Sequence, residues 1–277
     1  MKIKQILISI LLAFTLFAFP AEANALDIDR GEVKLPIFMY HSLYFPDHDK
    51  WKLNPVEFEA DLKYLSENGY TSIFISELVD FVERGEEAFP IKPVILTFDD
   101  GYYNNLTQAL PLLEKYDMKM TLSVIGKPSE EFSNVQDVSE KYGHLSWDEL
   151  EFMVGTGRVE LANHTWDMHN HDSRVGCCIK KGESMGDYRK TLKSDVGKLQ
   201  EKLEKINNGP VLCFTYPFGS KCPECLIILK EMGFKATLTC NEGMNKIVPG
   251  DPESLYELRR VNRAPGKSVK MFLEDLQ

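Results

Sequence analysis

The sequence predicts an α/β protein built on a mainly parallel sheet, and three observations carry that expectation. Strand-like and helix-like segments alternate about six or seven times, the order produced by crossover helices between parallel strands. No repeat, low-complexity tract or internal linker interrupts the alternation, so one domain is the simplest partition. The most polar clusters, Asp99-Asp100, His164 to His169 and Pro217-Phe218-Gly219, each follow directly on a predicted strand. That is where parallel α/β folds bind ligands. Alternation alone does not separate a barrel from an open sheet.

The elements follow in order. Lys2 and Lys4 precede an apolar run from Ile6 to Phe19 and the small residues Ala21 to Ala25. This pattern predicts a secretory signal over 1–25, cut after Ala25 or, as second choice, after Ala23. An uncleaved anchor is the alternative, although the apolar run is short for a span, which needs about 20 residues. No Cys lies near the cut to take a lipid, and no other segment is apolar enough to cross a membrane. A polar linker, 26–35, leads into the domain, 36–277. Pro36 to Tyr40 reads as a buried strand ending at His41. Asn54-Pro55-Val56-Glu57 starts a helix, with Asn54 as cap, Pro55 in the first position and Glu57 placed to close a capping box. Phe58, Leu62 and Leu65 line its face, and Asn68-Gly69 ends it. Thr71 to Ile75 and Pro93 to Phe98 read as strands, and Leu106, Leu110 and Leu113 mark a helix. Met120 to Ile125 is a strand, and Ser146 to Glu149 is a capping box opening a helix that ends near Gly155. Val159 to Ala162 is a strand. Tyr188, Leu192, Val196, Leu199, Leu203 and Ile206 give the clearest helical face, over 187–206. Val211 to Thr215 (strand), Glu224 to Met232 (helix) and Ala236 to Thr239 (strand) complete the series.

The 277 residues carry a formal charge of −10. That argues against a nucleic-acid partner, which needs clustered Lys and Arg, and suits a neutral or cationic substrate. The six cysteines are Cys177, Cys178, Cys213, Cys222, Cys225 and Cys240. Cys222-Pro-Glu-Cys225 has redox or zinc spacing, but neither a second such pair nor a nearby His accompanies it. Structural disulfides or plain thiols are the expectation, and the pairing is not readable from sequence.

Two imidazoles and one carboxylate make a three-ligand metal site with positions left for water. His164 and His169 supply the imidazoles. Of two adjacent aspartates, whose side chains diverge, one would ligate and the other stay free to take a proton from water. An Asp-Asp-Gly after a strand is also a common turn, and a His pair five apart also arises incidentally. Asp167, His171 and Asp172 lie near enough to replace a ligand.

In combination the motifs are specific. Thr97-Phe98-Asp99-Asp100-Gly101-Tyr102 and His164-Thr165-Trp166-Asp167-Met168-His169 resemble the first two motifs of the polysaccharide deacetylases, carbohydrate esterase family 4. The five-residue histidine spacing is that of the subgroup acting on poly-N-acetylglucosamine and its relatives. Phe214 to Gly219 resembles that subgroup's third motif, Pro36 to Ser42 its first strand, and Leu258-Arg259-Arg260-Val261 its closing segment. The resemblance spans about residues 36–262. It implies a distorted (β/α) barrel of about seven parallel strands. It also implies Asp99 as catalytic base, Asp100, His164 and His169 as ligands of a divalent metal (usually zinc), and the backbone N–H of Phe218 as an oxyanion donor.

The chain departs from the wider family twice. Thr215-Tyr216 stands where many members place an Arg beside the base, which makes Arg260 the candidate substitute. No His follows His171, so the general acid points to His41, as in the subgroup with the Met-Tyr-His start. His48, His144 and His171 are expected to be bystanders. Tyr102, Trp166 and Trp51 would either stack on sugar rings or pack in the core. The implied activity is a secreted, monomeric, metal-dependent N-deacetylase of N-acetylglucosamine-containing polysaccharide, acting on exopolysaccharide or peptidoglycan. An O-acetyl esterase and an inactive cell-wall glycan-binding protein are the alternatives.

Overall fold

Seven parallel strands form the frame: β1 (Ile37–Tyr40), β2 (Pro93–Asp100), β3 (Met120–Val124), β4 (Val159–Asn163), β5 (Cys213–Thr215), β6 (Ala236–Leu238) and β7 (Val261–Asn262). The computed structural model describes residues 31–46, 49–84, 89–135, 139–171 and 174–275. The sheet order is β6-β5-β4-β3-β2-β1-β7. Neighbouring strands are parallel throughout. The sheet curls round: Leu258, just ahead of β7, bridges in parallel to Leu238 of β6. Its N–H donates to Thr237 and its carbonyl accepts from Thr239. The barrel expected from the resemblance is thus the observed architecture.

The helices are α1 (Pro55–Glu67), α2 (Ile75–Arg84), α3 (Leu110–Lys115), α4 (Gly126–Asn134), α5 (Trp147–Gly155), α6 (Met185–Asn207), α7 (Pro223–Glu231) and α8 (Val269–Asp275). Among the described residues, no helix is long and apolar enough to cross a membrane. Side chains of β2 alternate between two environments, as a pleated strand requires. Val94, Leu96 and Phe98 join the core shared with α1, α3 and α5. Thr97 and Asp99 face the other way, toward Arg260. Polar residues continue inside the barrel, where Ser123 and Thr215 share a hydrogen bond of 2.7 Å.

Several local expectations change. Val33–Leu35, read as linker, is a strand paired antiparallel with Asn245–Ile247. The strand expected over 71–75 stops at Ser72, and α2 starts at Ile75. The cause is remote: the Glu160 carboxylate, on β4, accepts the N–H groups of Ile75 and Ser76 and caps the helix. Helix α4 carries almost no apolar face and so has no periodic signal. Only Gly126 and Ser129 are buried in it, and a Cβ at Gly126 would stand 2.5 Å from the Trp166 ring. Asn54 caps α1 as expected. Glu57 closes no box there; it accepts from Gly266 N–H and lies 3.7 Å from Arg263. The Ser146–Glu149 box is formed. Asn105–Ala109, ahead of α3, is π-helical. The signal expected over 1–25 and residues His48 and Asp172 lie outside the described residues.

Candidate functional site

The three motifs meet at the carboxyl ends of β2, β4 and β5, around a cavity of about 600 Å³. Each turns away from its strand through one non-glycine residue in the left-handed region: Asp100 at φ 73, Thr165 at φ 71 and Phe218 at φ 59. Such conformations are costly for L-residues and gather where a side chain must be re-aimed. Alternation along β2 would send Asp100 to the Phe98 face. Its positive φ brings the carboxylate round beside the histidines instead.

Asp100 Oδ1 lies 3.6 Å from His164 Nε2 and 3.6 Å from His169 Nε2. The three ligand-type atoms fall within 4.8 Å of one another, and no other such group occurs among the described residues. Asp100 Oδ1 is buried and has no hydrogen-bond partner. A buried, unpaired carboxylate oxygen facing two imidazole nitrogens is an arrangement that a cation satisfies. His164 Nδ1 lies 2.7 Å from the Thr215 carbonyl, so Nδ1–H donates there and leaves the Nε2 lone pair pointing at Asp100. Burial lowers the His164 pKa to about 3, and lowers that of His169 as well. It raises that of Asp100. Both imidazoles are therefore neutral and available to a metal.

Asp99 is held differently. Arg260 donates from Nη1 to Oδ1 at 2.7 Å and from Nη2 to Oδ2 at 2.8 Å. Arg260 is itself fully buried and fixed by Nε donating to the Thr239 carbonyl and Nη1 to Thr97. Burial alone would raise the Asp99 carboxyl, but the charge and paired hydrogen bonds of Arg260 outweigh it. They hold the group well below the usual carboxylate range. His41 Nε2 stands 4.0 Å from Asp99 Oδ2. Burial lowers the His41 pKa, against the pull of Asp100 and Asp99.

Phe218 sits in the Pro217–Gly219 turn, with its ring 4.1 Å from that of His169 and 3.8 Å from that of His171. Asp99, Asp100, His164, His169, His41 and Phe218 all line the cavity, and Arg260 supports it from behind. Trp51 and Tyr102 also line it, and the Trp51 ring lies 4.6 Å from His41. Trp166 does not; it is buried against Trp147 and Gly126, which removes it as a sugar-stacking candidate. Asp167 pairs with Lys127. Two histidines expected to be bystanders lie close to these residues. His144 Nδ1 contacts the Asp100 carbonyl at 3.1 Å, and His171 packs on Phe218. Asp195 is a residue that sequence reasoning misses: its two carboxylate oxygens accept the N–H groups of Trp166 and Asp167 and fix the second motif. A lone Asp on a polar helix face carries no sequence signal for that task.

The chain is similar in sequence and fold to several known proteins. The Bacillus subtilis protein YxkH is 28% identical over 240 residues, covering 86% of this chain and 75% of that one. The Escherichia coli poly-β-1,6-N-acetyl-D-glucosamine N-deacetylase is 26% identical over 234 residues, 77% of this chain. The match takes in only 34% of that enzyme's length. The Streptococcus pyogenes deacetylase PplD, solved with acetate, superposes with a TM-score of 0.72 at 24% identity, over 89% of this chain and 99% of that one. The polysaccharide deacetylase family model matches residues 86–237, which hold all three motifs. With the barrel and more than half the sequence matching, the chain belongs to the polysaccharide deacetylase family.

Proposed function

We propose that the protein removes N-acetyl groups from N-acetylglucosamine-containing polysaccharide, releasing acetate, with a divalent metal held by Asp100, His164 and His169. The observation that carries this reading is the orphaned Asp100 Oδ1 facing two neutral imidazoles, beside a second aspartate locked by Arg260. Two nitrogens and one oxygen suit zinc. An ion bound there supplies Lewis-acid polarisation of the acetyl carbonyl and activation of water.

The chain's own groups do the rest. Asp99, ionised through the neutral range, takes a proton from the attacking water. Arg260 holds both Asp99 oxygens, which would keep this carboxylate out of the ligand set. The Phe218 N–H donates to the developing oxyanion. His41 gives a proton to the departing sugar amine, and burial makes its protonated form a stronger acid than free imidazolium. Trp51 and Tyr102 offer ring faces at the cavity for a sugar. The basic, apolar and Ala-rich pattern of residues 1–25 supports export, and with it an extracellular or cell-wall glycan as substrate. The E. coli relative's substrate supports a β-linked glucosamine polymer.

The test is acetate release from a panel of N-acetylated and O-acetylated glycans, with and without a chelator, for wild type and Asp99→Asn. N-acetyl substrates should respond, and both chelator and substitution should abolish the release. Turnover confined to O-acetyl substrates, or surviving both treatments, contradicts the reading.

A further inference from the structure

Four of the six cysteines lie together on the side of the cavity formed by the second and third motifs. Cys177 and Cys178 lie between His169 and the start of α6 at Met185. Cys222 stands at the N-cap of α7 and Cys225 lies in its first turn, directly after the turn that holds Phe218. Cys177 Sγ is 3.4 Å from Cys225 Sγ. Cys178 Sγ lies 3.6 Å from the Ser220 carbonyl, two residues before Cys222, whose Sγ lies 3.7 Å from Tyr188 Oη, and the Cys222 side chain interacts with those of both Cys178 and Cys225. The two loops are already in backbone contact: a Cβ at Gly176 would stand 2.9 Å from the Pro217 carbonyl. The Cys177 carbonyl accepts from Tyr188 Oη and the Cys178 carbonyl from Arg174.

A metal site with four thiolate ligands is one alternative use of these sulfurs, but no three of them lie mutually within 4.8 Å, whereas a tetrahedral site brings all four around one centre. The sulfurs form a chain, Cys177–Cys225–Cys222–Cys178. Only one pairing uses all four sulfurs in contacts that the chain contains. A Cys222–Cys225 bond would leave Cys177 and Cys178, sequence neighbours, with nothing but each other.

We propose that these residues are a double disulfide site, Cys177–Cys225 and Cys178–Cys222, that staples the metal-ligand loop to the Phe218 turn. The oxidant is a low-molecular-weight disulfide. The Cys222 thiolate, half-buried at the start of α7, attacks one sulfur of the reagent and displaces a thiolate. The Cys178 thiolate then attacks the Cys222 sulfur and displaces the second reagent thiol. Two protein S–H bonds and the reagent S–S bond are lost, and one protein S–S bond and two reagent S–H bonds form. The same exchange joins the buried Cys177–Cys225 pair. Cys213 and Cys240 remain thiols.

The test is linkage mapping on the full chain after equilibration with oxidised glutathione, by peptide mass spectrometry of alkylated, unreduced digests. Wild type should give residues 175–180 joined to 222–230 by two bonds. The Cys177→Ser/Cys225→Ser and Cys178→Ser/Cys222→Ser variants should each retain one bond. The crossed variants, Cys177→Ser/Cys222→Ser and Cys178→Ser/Cys225→Ser, should give none. Reduction by a phosphine should lower the Tm of oxidised wild type by about 5 °C or more. A Cys222–Cys225 loop, equal bonding in the crossed variants, or four unreactive thiols with one equivalent of zinc in an Asp100→Ala/His164→Ala background would overturn the proposal. The benefit to catalysis rests on the deacetylase reading, but linkage and Tm do not, so the two can fail separately.

Discussion

Two buried Arg–Asp pairs stand three residues apart at the end of the chain, and they behave in opposite ways. Arg260 grips both oxygens of Asp99. Arg263 donates through Nε to a single oxygen of Asp61, whose other partners are Tyr40 Oη and the Val269 N–H. Both carboxylates are almost fully buried. Yet Asp99 is held well below the usual range, whereas burial raises Asp61 to about 6 despite Arg263. A two-pronged grip by a guanidinium outweighs desolvation, and a one-sided contact does not. The first pair keeps a carboxylate ionised next to a cavity. The second ties α1 to the segment after β7 and to α8.

The contrast yields predictions in decreasing order of effect. Asp99→Asn should lower kcat by about 1,000-fold or more with little change in Tm, as loss of a general base does. Arg260→Lys should keep the charge but lose the paired grip. Activity should fall about 100-fold, and the acid limb of the pH–rate profile should move upward, because Asp99 then needs a higher pH to ionise. An unmoved acid limb would show that Arg260 does not set the Asp99 carboxyl.

At the other pair, Arg263→Met should leave kcat near wild type but destabilise the fold by about 3 kcal/mol or more, since it strands a buried carboxylate. Urea denaturation measures this. The pH dependence of stability should also differ in sign. Asp61 rises from 3.8 to about 6 on folding, so its contribution is full below the unfolded value and is lost as pH rises through about 6. That loss amounts to ~3 kcal/mol and should be absent in Asp61→Asn. Asp99 is depressed, so its contribution is present above the usual carboxylate pKa and lost only as pH falls through its lowered value. The smallest effect is expected at the cavity rim, where Trp51→Ala should raise KM about 5-fold with kcat little changed, the scale of one ring contact.

The legible parts of the molecule share a cause, as do the illegible ones. Strong local patterns show: the α6 face from Tyr188 to Leu203, the Ser146 box, and apolar strands running into polar ends. The candidate site residues are legible because carboxylates and imidazoles gather directly after apolar strands. Features created by distant partners do not show. The α2 start depends on Glu160 from another strand, the short α4 depends on a glycine beneath Trp166, and the second motif is held by Asp195. The left-handed turn at Asp100 has no signal either, because Asp is not obliged to adopt it.

The bidentate partner of Asp99 lies at the threshold of β7, and β7 pairs with β1 through Phe38 and Val261. The first and last strands of the barrel therefore meet only when the whole chain has been gathered. Contacts of such long sequence separation form slowly. Until they do, Asp99 lacks its guanidinium, and burying it bare is unfavourable. The Asp99 carboxylate thus gains its guanidinium partner at the step that seals the barrel. A chain lacking Arg260 and β7 can hold all three motifs and still leave Asp99 without its partner, so the Arg260–Asp99 pair marks a closed barrel.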